Sequence, residues 1–117
     1  MKIAVATLDD KTIASHFRQS DRFVVIDLQG ESVVGTETRE MRRPEESHDH
    51  SDTIQALADC CAVICGGMGG RVAEALSRYG IEPVVALDCD QTPEHAARQF
   101  VAGRLQRGTP HACCCEH

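Results

Sequence analysis

The chain predicts an α/β domain, a five-stranded mixed sheet in the order β-β-β-α-β-α-β-α with helices packed on it. Three observations carry this expectation. Short apolar, β-branched runs recur at Lys2–Thr7, Arg22–Leu28, Ala62–Cys65 and Glu82–Leu87, each of strand length. Between and after the later runs, apolar residues recur at helical spacing. Finally, 117 residues are enough for one domain and too few for two.

The elements follow in order. Lys2–Thr7 is apolar enough to be a buried strand. Leu8–Asp21 is polar and reads as a long loop with at most one helical turn. Arg22–Leu28 is the second strand, Gln29-Gly30 a turn, and Glu31–Arg39 a weaker third strand, so these two form an antiparallel hairpin. Glu40–Ser51 is a charged loop. Asp52, with Gln55 three residues on, resembles a capping box opening a short helix over Thr53–Asp59. Ala62–Cys65 is a short buried strand that runs into Gly66-Gly67-Met68-Gly69-Gly70. Val72, Ala75, Leu76 and Tyr79 then form a helical stripe, and Gly80 stands where a helix C-terminal glycine belongs. After the strand Glu82–Leu87, Thr92-Pro93 opens the last helix, whose apolar stripe runs from Ala96 to Leu105. The domain therefore spans residues 1–105, and 106–117 form a flexible tail rich in Cys and His.

Composition excludes several function classes. No apolar run approaches the roughly 18–20 residues that a membrane helix needs. The residues after Met1 lack the pattern of a secretory signal. The expectation is a cytoplasmic protein with no membrane partner. A formal net charge of −6 offers nothing to neutralise a nucleic-acid backbone, and 3% aromatic residues supply few stacking platforms. Nucleic acid is not an expected partner. The third strand is an edge through which two copies could pair, so a monomer or weak homodimer is expected.

Seven cysteines and six histidines are many for this length. An odd cysteine count in a cytoplasmic chain does not describe a disulfide framework, which leaves metal, cluster or redox chemistry set against plain core packing. Right-handed crossovers bring the ends of the first, third, fourth and fifth strands to one edge of the sheet. His16, His48, His50, Cys65 and Cys89 gather there by topology, where open α/β sheets bind ligands. The last helix runs the other way and sends the tail out at the opposite edge.

Gly66–Gly70 is the most informative motif. Glycines let backbone approach a ligand, and the N–H groups opening a helix suit an anion. Arg71 adds charge one residue inside the helix, while the competing reading is a tight strand-to-helix turn that merely needs glycine. Cys65, beside that turn, is either a ligand or a core thiol. His48-x-His50 is spaced as a pair of metal ligands or a solvated pair. Cys60 and Cys61 stand at the opposite edge as core or idle thiols. The tail, His111 followed by Cys113-Cys114-Cys115 and His117, is rich in soft ligands suited to Zn, Cu or iron–sulfur species, although its spacing does not match a structural zinc site.

Taken together, Ser15-His16-Phe17 after the first strand, Asp21-Arg22-Phe23 opening the second, and Cys65-Gly66-Gly67-Met68-Gly69 opening a helix that ends at Tyr79-Gly80-Ile81 resemble the dinitrogenase iron–molybdenum cofactor biosynthesis family. This is the domain of NifX, NafY and the C-terminus of NifB. The resemblance covers about residues 1–105. It implies a ribonuclease-H-like fold and a non-catalytic role in binding, carrying or protecting an iron–sulfur-based or molybdenum–iron cluster. The implied partners are metallocofactor assembly and acceptor proteins, and the setting is nitrogen fixation. Carried over by position, His16 falls in the ligand loop and Gly66, Gly67 and Gly69 in the cluster-facing turn, with Ser15, Phe17, Arg18, Cys65, Met68 and Arg71 as candidate cofactor contacts beside them. Where many relatives have Gly after the His-Phe pair, this chain has Arg18. His16 or Cys65 could ligate one metal of such a cluster. The rival reading is a soft-metal protein that uses His48, His50 and the tail residues Cys113, Cys114, Cys115 and His117. A nuclease on the same fold would need clustered carboxylates holding two metal ions, and the first and fourth strands carry none.

Overall fold

The computed structural model describes residues 1–7, 11–14, 22–40, 51–68, 70–105 and 107–108, and at 51–53, 71, 107 and 108 it describes the backbone. Its elements are β1 (Lys2–Thr7), β2 (Arg22–Gln29), β3 (Ser32–Glu40), α1 (Ser51–Ala56), β4 (Ala62–Cys65), α2 (Gly70–Arg78), β5 (Glu82–Ala86), α3 (Pro93–Val101) and β6 (Arg107–Gly108). They form one mixed sheet of order β3-β2-β1-β4-β5-β6. β1 lies antiparallel to β2 and parallel to β4, and β4 lies parallel to β5. The expected α/β class and hairpin are therefore found. A two-residue loop with Gly30 at φ +64° closes the hairpin, opposing Gln29 to Ser32.

The apolar alternation divides the core into two layers. Ala4, Ala6, Phe23, Val25, Val63, Cys65 and Val85 face Ile54 and Leu57 of the α1 region and Val72, Ala73 and Leu76 of α2. Ile3, Val5, Ile26, Leu28, Ile64, Val84 and Ala86 face Ala96 and Ala97 of α3, with Phe100, Val101 and Leu105 at the margin. The sheet is thus the middle of three layers. At roughly 25 cal/mol per Å² of apolar surface removed from water, this two-sided burial is the main term stabilising so short a chain. β3 lies at the edge and is almost wholly exposed.

Helix ends follow from local chemistry. α2 stops where Gly80 takes φ +75°. The Ile81 N–H then donates to Leu76 O (2.9 Å) and the Gly80 N–H to Ser77 O (3.0 Å), a Schellman closure that packs Ile81 near Leu76. α3 opens as expected, with Thr92 accepting from the His95 N–H and Pro93 in the first turn.

Three expectations are corrected. α1 covers Ser51–Ala56, and Leu57–Asp59 is a turn. α3 ends at Val101, before Leu105, because Gly103 at φ +74° reverses the chain and Arg104 N–H donates to Gln99 O at 2.8 Å. That reversal returns the backbone to the sheet, so a sixth strand joins the expected five. Arg107 opposes Ala86 and Gly108 opposes Val85. Arg107 thus stands beside the carboxyl end of β5, and from there β6 runs antiparallel, with Gly108 in one row with Val85 and Cys65.

Candidate functional site

Parallel pairing of β1, β4 and β5 places their carboxyl ends on one edge. The row Thr7–Arg22–Glu40 brings the end of β3 to that edge as well. An Arg22 Nη2 to Glu40 Oε1 ion pair of 2.8 Å closes the row.

Residues Thr12–Ala14 cross this edge as a strap. The Ala14 N–H donates to Ala6 O at 2.8 Å, the Gly66 N–H donates to Ala14 O at 2.7 Å, and the Ile13 N–H donates to Cys89 O at 3.0 Å. Three strand ends are thereby tied by backbone groups that burial obliges to pair. Ile13 and Ala14 are both buried, Ile13 in the α3 layer and Ala14 in the α2 layer. The extended strap thus plugs both cores. The Thr7 hydroxyl donates to Thr12 O at 2.7 Å. Thr7 is fully enclosed, the one buried polar residue among those described. None of these strap residues stood out in the sequence. The available signal was Ile13-Ala14, an apolar pair inside an otherwise polar loop.

The glycine turn sits against the strap. The Gly66 amide is already committed to Ala14, so it is not aimed outward at an anion. Cys65 is fully buried, and its thiol donates to Gly67 O with the sulfur at 3.2 Å. Of the two readings of Cys65, the geometry matches the core thiol, which here braces the turn from inside. Gly67 and Met68 are buried too, Met68 in the same core layer. Cys89 is half-buried against the α3 layer and meets the strap through its carbonyl. Beside it, Asp88 accepts from the Asp90 N–H at 2.9 Å and from Gln91 Nε2, through its backbone oxygen, at 2.6 Å.

Ser15, His16, Phe17, Arg18, His48, His50, Gly69, Cys113, Cys114, Cys115 and His117 lie outside the described residues, as does the Arg71 side chain. Among the described residues, no three His, Cys, Asp or Glu gather closely enough to hold a metal ion.

The turn that enters β4, at the opposite edge, is tied by side chains to the carboxyl end of β3, where Arg39 stands in one row with Phe23 and Ala6. Arg39 grips Asp59 with two bonds of 2.7 and 2.9 Å and donates to Ala56 O at 2.8 Å, while Lys2 Nζ reaches Asp59 at 3.3 Å. The Arg39 hydrogen bonds hold the Asp59 carboxyl well below the usual carboxylate range. Burial, reinforced by the Asp59 charge, pushes the Cys60 thiol up to about 12. Partial burial also raises the Cys61 thiol, although that residue is exposed. Both cysteines are therefore thiols rather than thiolates near neutrality, in keeping with the core-or-idle expectation.

The layered α/β fold is shared with solved proteins. The crystal structure of PH0822 matches with a TM-score of 0.74 at 28% identity, over 92% of this chain and 94% of that one. The apo form of the orange protein from Desulfovibrio gigas matches with a TM-score of 0.74 at 20% identity, over 92% of each chain. The chain belongs to the dinitrogenase iron-molybdenum cofactor family, whose model matches residues 1–103. The FeMo cofactor biosynthesis protein NifB of Frankia alni is 29% identical over 119 residues, which is 92% of this chain. The match takes in 23% of NifB, so this chain spans about a quarter of that relative's length. Among the described residues, no helix is long and apolar enough to cross a membrane.

Proposed function

We infer that this domain binds, carries or protects an anionic iron–sulfur-based metallocluster, of the iron–molybdenum cofactor type or a precursor, and that it does so without catalytic turnover. Family membership supports the chemistry of the cargo. The observation that carries the reading is the 2.7 Å bond from the Gly66 N–H to Ala14 O. It welds the root of the His16 loop to the glycine turn, two segments that lie far apart in sequence. Chain connectivity alone keeps His16 within about 7 Å of Ala14. His16 is the proposed metal ligand, and the amides opening α2, with Arg18 and Arg71, the proposed anion contacts. Ser15, Phe17 and Met68 are the proposed further contacts, and Cys65 supports the glycine turn from within. Attachment through few protein ligands suits a carrier, because delivery requires release. The partners would be cytoplasmic donor and acceptor proteins of cofactor assembly. The strand order with β2 antiparallel to its neighbours supports a ribonuclease-H-like arrangement serving here as a binding scaffold.

Iron, acid-labile sulfide and visible absorption, measured on protein purified without oxygen or loaded with ferrous iron and sulfide, test this reading. Full-length protein is compared with a chain ending at Gly108 and with His16→Ala. Iron and sulfide retained by the shortened chain and lost with His16→Ala support carriage on the domain. Metal that disappears with the tail would assign binding to Cys113–Cys115 and His117 and overturn it.

A further inference from the structure

We propose that Thr7 is a positioning residue for the ligand loop, its enclosed hydroxyl fixing the Thr12–Ala14 strap from which the His16 segment continues. The inference rests on the site reading above and names the part of the chain that holds the site in register.

β1 has apolar side chains from Ile3 to Ala6 and then a single hydroxyl at its carboxyl end. A threonine is β-branched and fits a strand, but full enclosure of a polar group is unfavourable unless it is hydrogen-bonded. The 2.7 Å bond to Thr12 O supplies a partner. It acts across the five-residue step from Thr7 to Thr12. The neighbouring Ala6 carbonyl accepts from Ala14 at 2.8 Å. Two adjacent residues at the end of β1 therefore grip both ends of the Thr12–Ala14 segment, one through a side chain and one through backbone. Ile13 is then carried to Cys89 and Ala14 to Gly66. Valine would fill the same volume and keep the strand, but it would leave Thr12 O without this donor. The strap would keep its apolar plugs and lose this attachment to β1.

Two readouts are taken on full-length protein for wild type, Thr7→Val and Thr7→Ser. The first is amide hydrogen exchange, which reports local opening separately from global unfolding. Thr7→Val is expected to speed exchange at Ile13, Ala14 and Gly66 about tenfold, the size of one lost buried hydrogen bond, with Ile64 and Val84 unchanged. Thr7→Ser keeps the donor and is expected to stay within about twofold of wild type. Equal acceleration at Ile64 and Val84 would show only general destabilisation and overturn the proposal, as would a Thr7→Ser variant that behaves like Thr7→Val. The second readout is iron and sulfide retained after loading, expected to fall severalfold in Thr7→Val and to recover in Thr7→Ser. Loading that is equal in Thr7→Val and wild type would also overturn the proposal. Wild type that takes up no iron and sulfide would remove the carrier reading and with it the ligand-loop role, whereas the exchange pattern alone would still decide whether Thr7 fixes the strap.

Discussion

At the carboxyl ends of β1, β4 and β5 the chain is held by backbone hydrogen bonds from Thr12–Ala14, whereas the turn that enters β4 is held by the charges of Arg39, Lys2 and Asp59. The first arrangement uses main-chain groups and short buried side chains. The second uses up its ionic side chains on one another. The proposed carrier role would use this difference between a backbone tie and an ionic one. Backbone ties are also insensitive to pH and salt, while exposed ion pairs are screened.

The largest effect should come from breaking the strap. Ala14→Pro removes the N–H that Ala6 accepts and forces a ring between two buried plugs. A loss of about 3 kcal/mol in urea unfolding is expected, within the range for buried backbone disruption, together with loss of iron and sulfide loading. A variant that still loads fully would show that the strap is not part of the site. The matching change in the side-chain tie is Arg39→Met. It removes both bonds to Asp59 but leaves that half-exposed carboxylate with Lys2 and water, so about 1 kcal/mol is expected after solvent screening. Loading should be unchanged. If Arg39→Met lowers loading as much as it lowers stability, the two edges are not independent.

A smaller effect separates the edges by pH. Asp59 is held below its ordinary carboxylate value by Arg39, so the folded state favours its charged form. The pair's contribution is complete above about pH 4, the unfolded carboxylate value, and declines as pH falls toward the lower folded value. Because Asp59 is nearly half exposed, the slope should be worth less than about 1 kcal/mol. Comparing wild type with Asp59→Asn by urea unfolding between pH 5 and 2.5 checks the sign. A wild-type curve no steeper than that of Asp59→Asn would remove the ion pair from the account.

How much of this was legible in the sequence follows the same division. Strands such as Lys2–Thr7 and Ala62–Cys65 were legible because burial on both faces leaves an unbroken apolar run. Gly80 was legible because only glycine takes its backbone angle cheaply. β6 was not, since two residues carry no periodicity and their pairing depends on a reversal at Gly103. The strap was not, because its hydrogen bonds are made by backbone, which every residue carries, and Ile13-Ala14 reads as noise within a polar loop. The glycine turn was found, but the use of its first amide depends on Ala14, fifty-two residues earlier, and no local pattern encodes that contact. His16, the proposed ligand, was reached by its resemblance to a family pattern rather than by spacing.

The smallest effect concerns the thiols, and it sharpens the comparison chemically. Cys65 at the site edge and Cys60 at the other are both buried, whereas Cys61 is exposed. Burial pushes the Cys60 thiol up to about 12, so the folded state favours its neutral form. Its contribution to stability is complete below the unfolded thiol value near 8.5 and is lost as pH rises toward 12. Iodoacetamide attacks thiolates and needs access. At pH 8, Cys61 should therefore be modified before Cys60 and Cys65, though slowly, since its own thiol is raised as well. Mass spectrometry of the peptides across 57–68 over a time course reads the order. Cys65 labelled as fast as Cys61 would mean that the turn opens readily and that its sulfur does reach the outside, which would restore it as a direct ligand. Cys65 protected until global unfolding would fix it as a brace, leaving the exchangeable bond to the His16 loop.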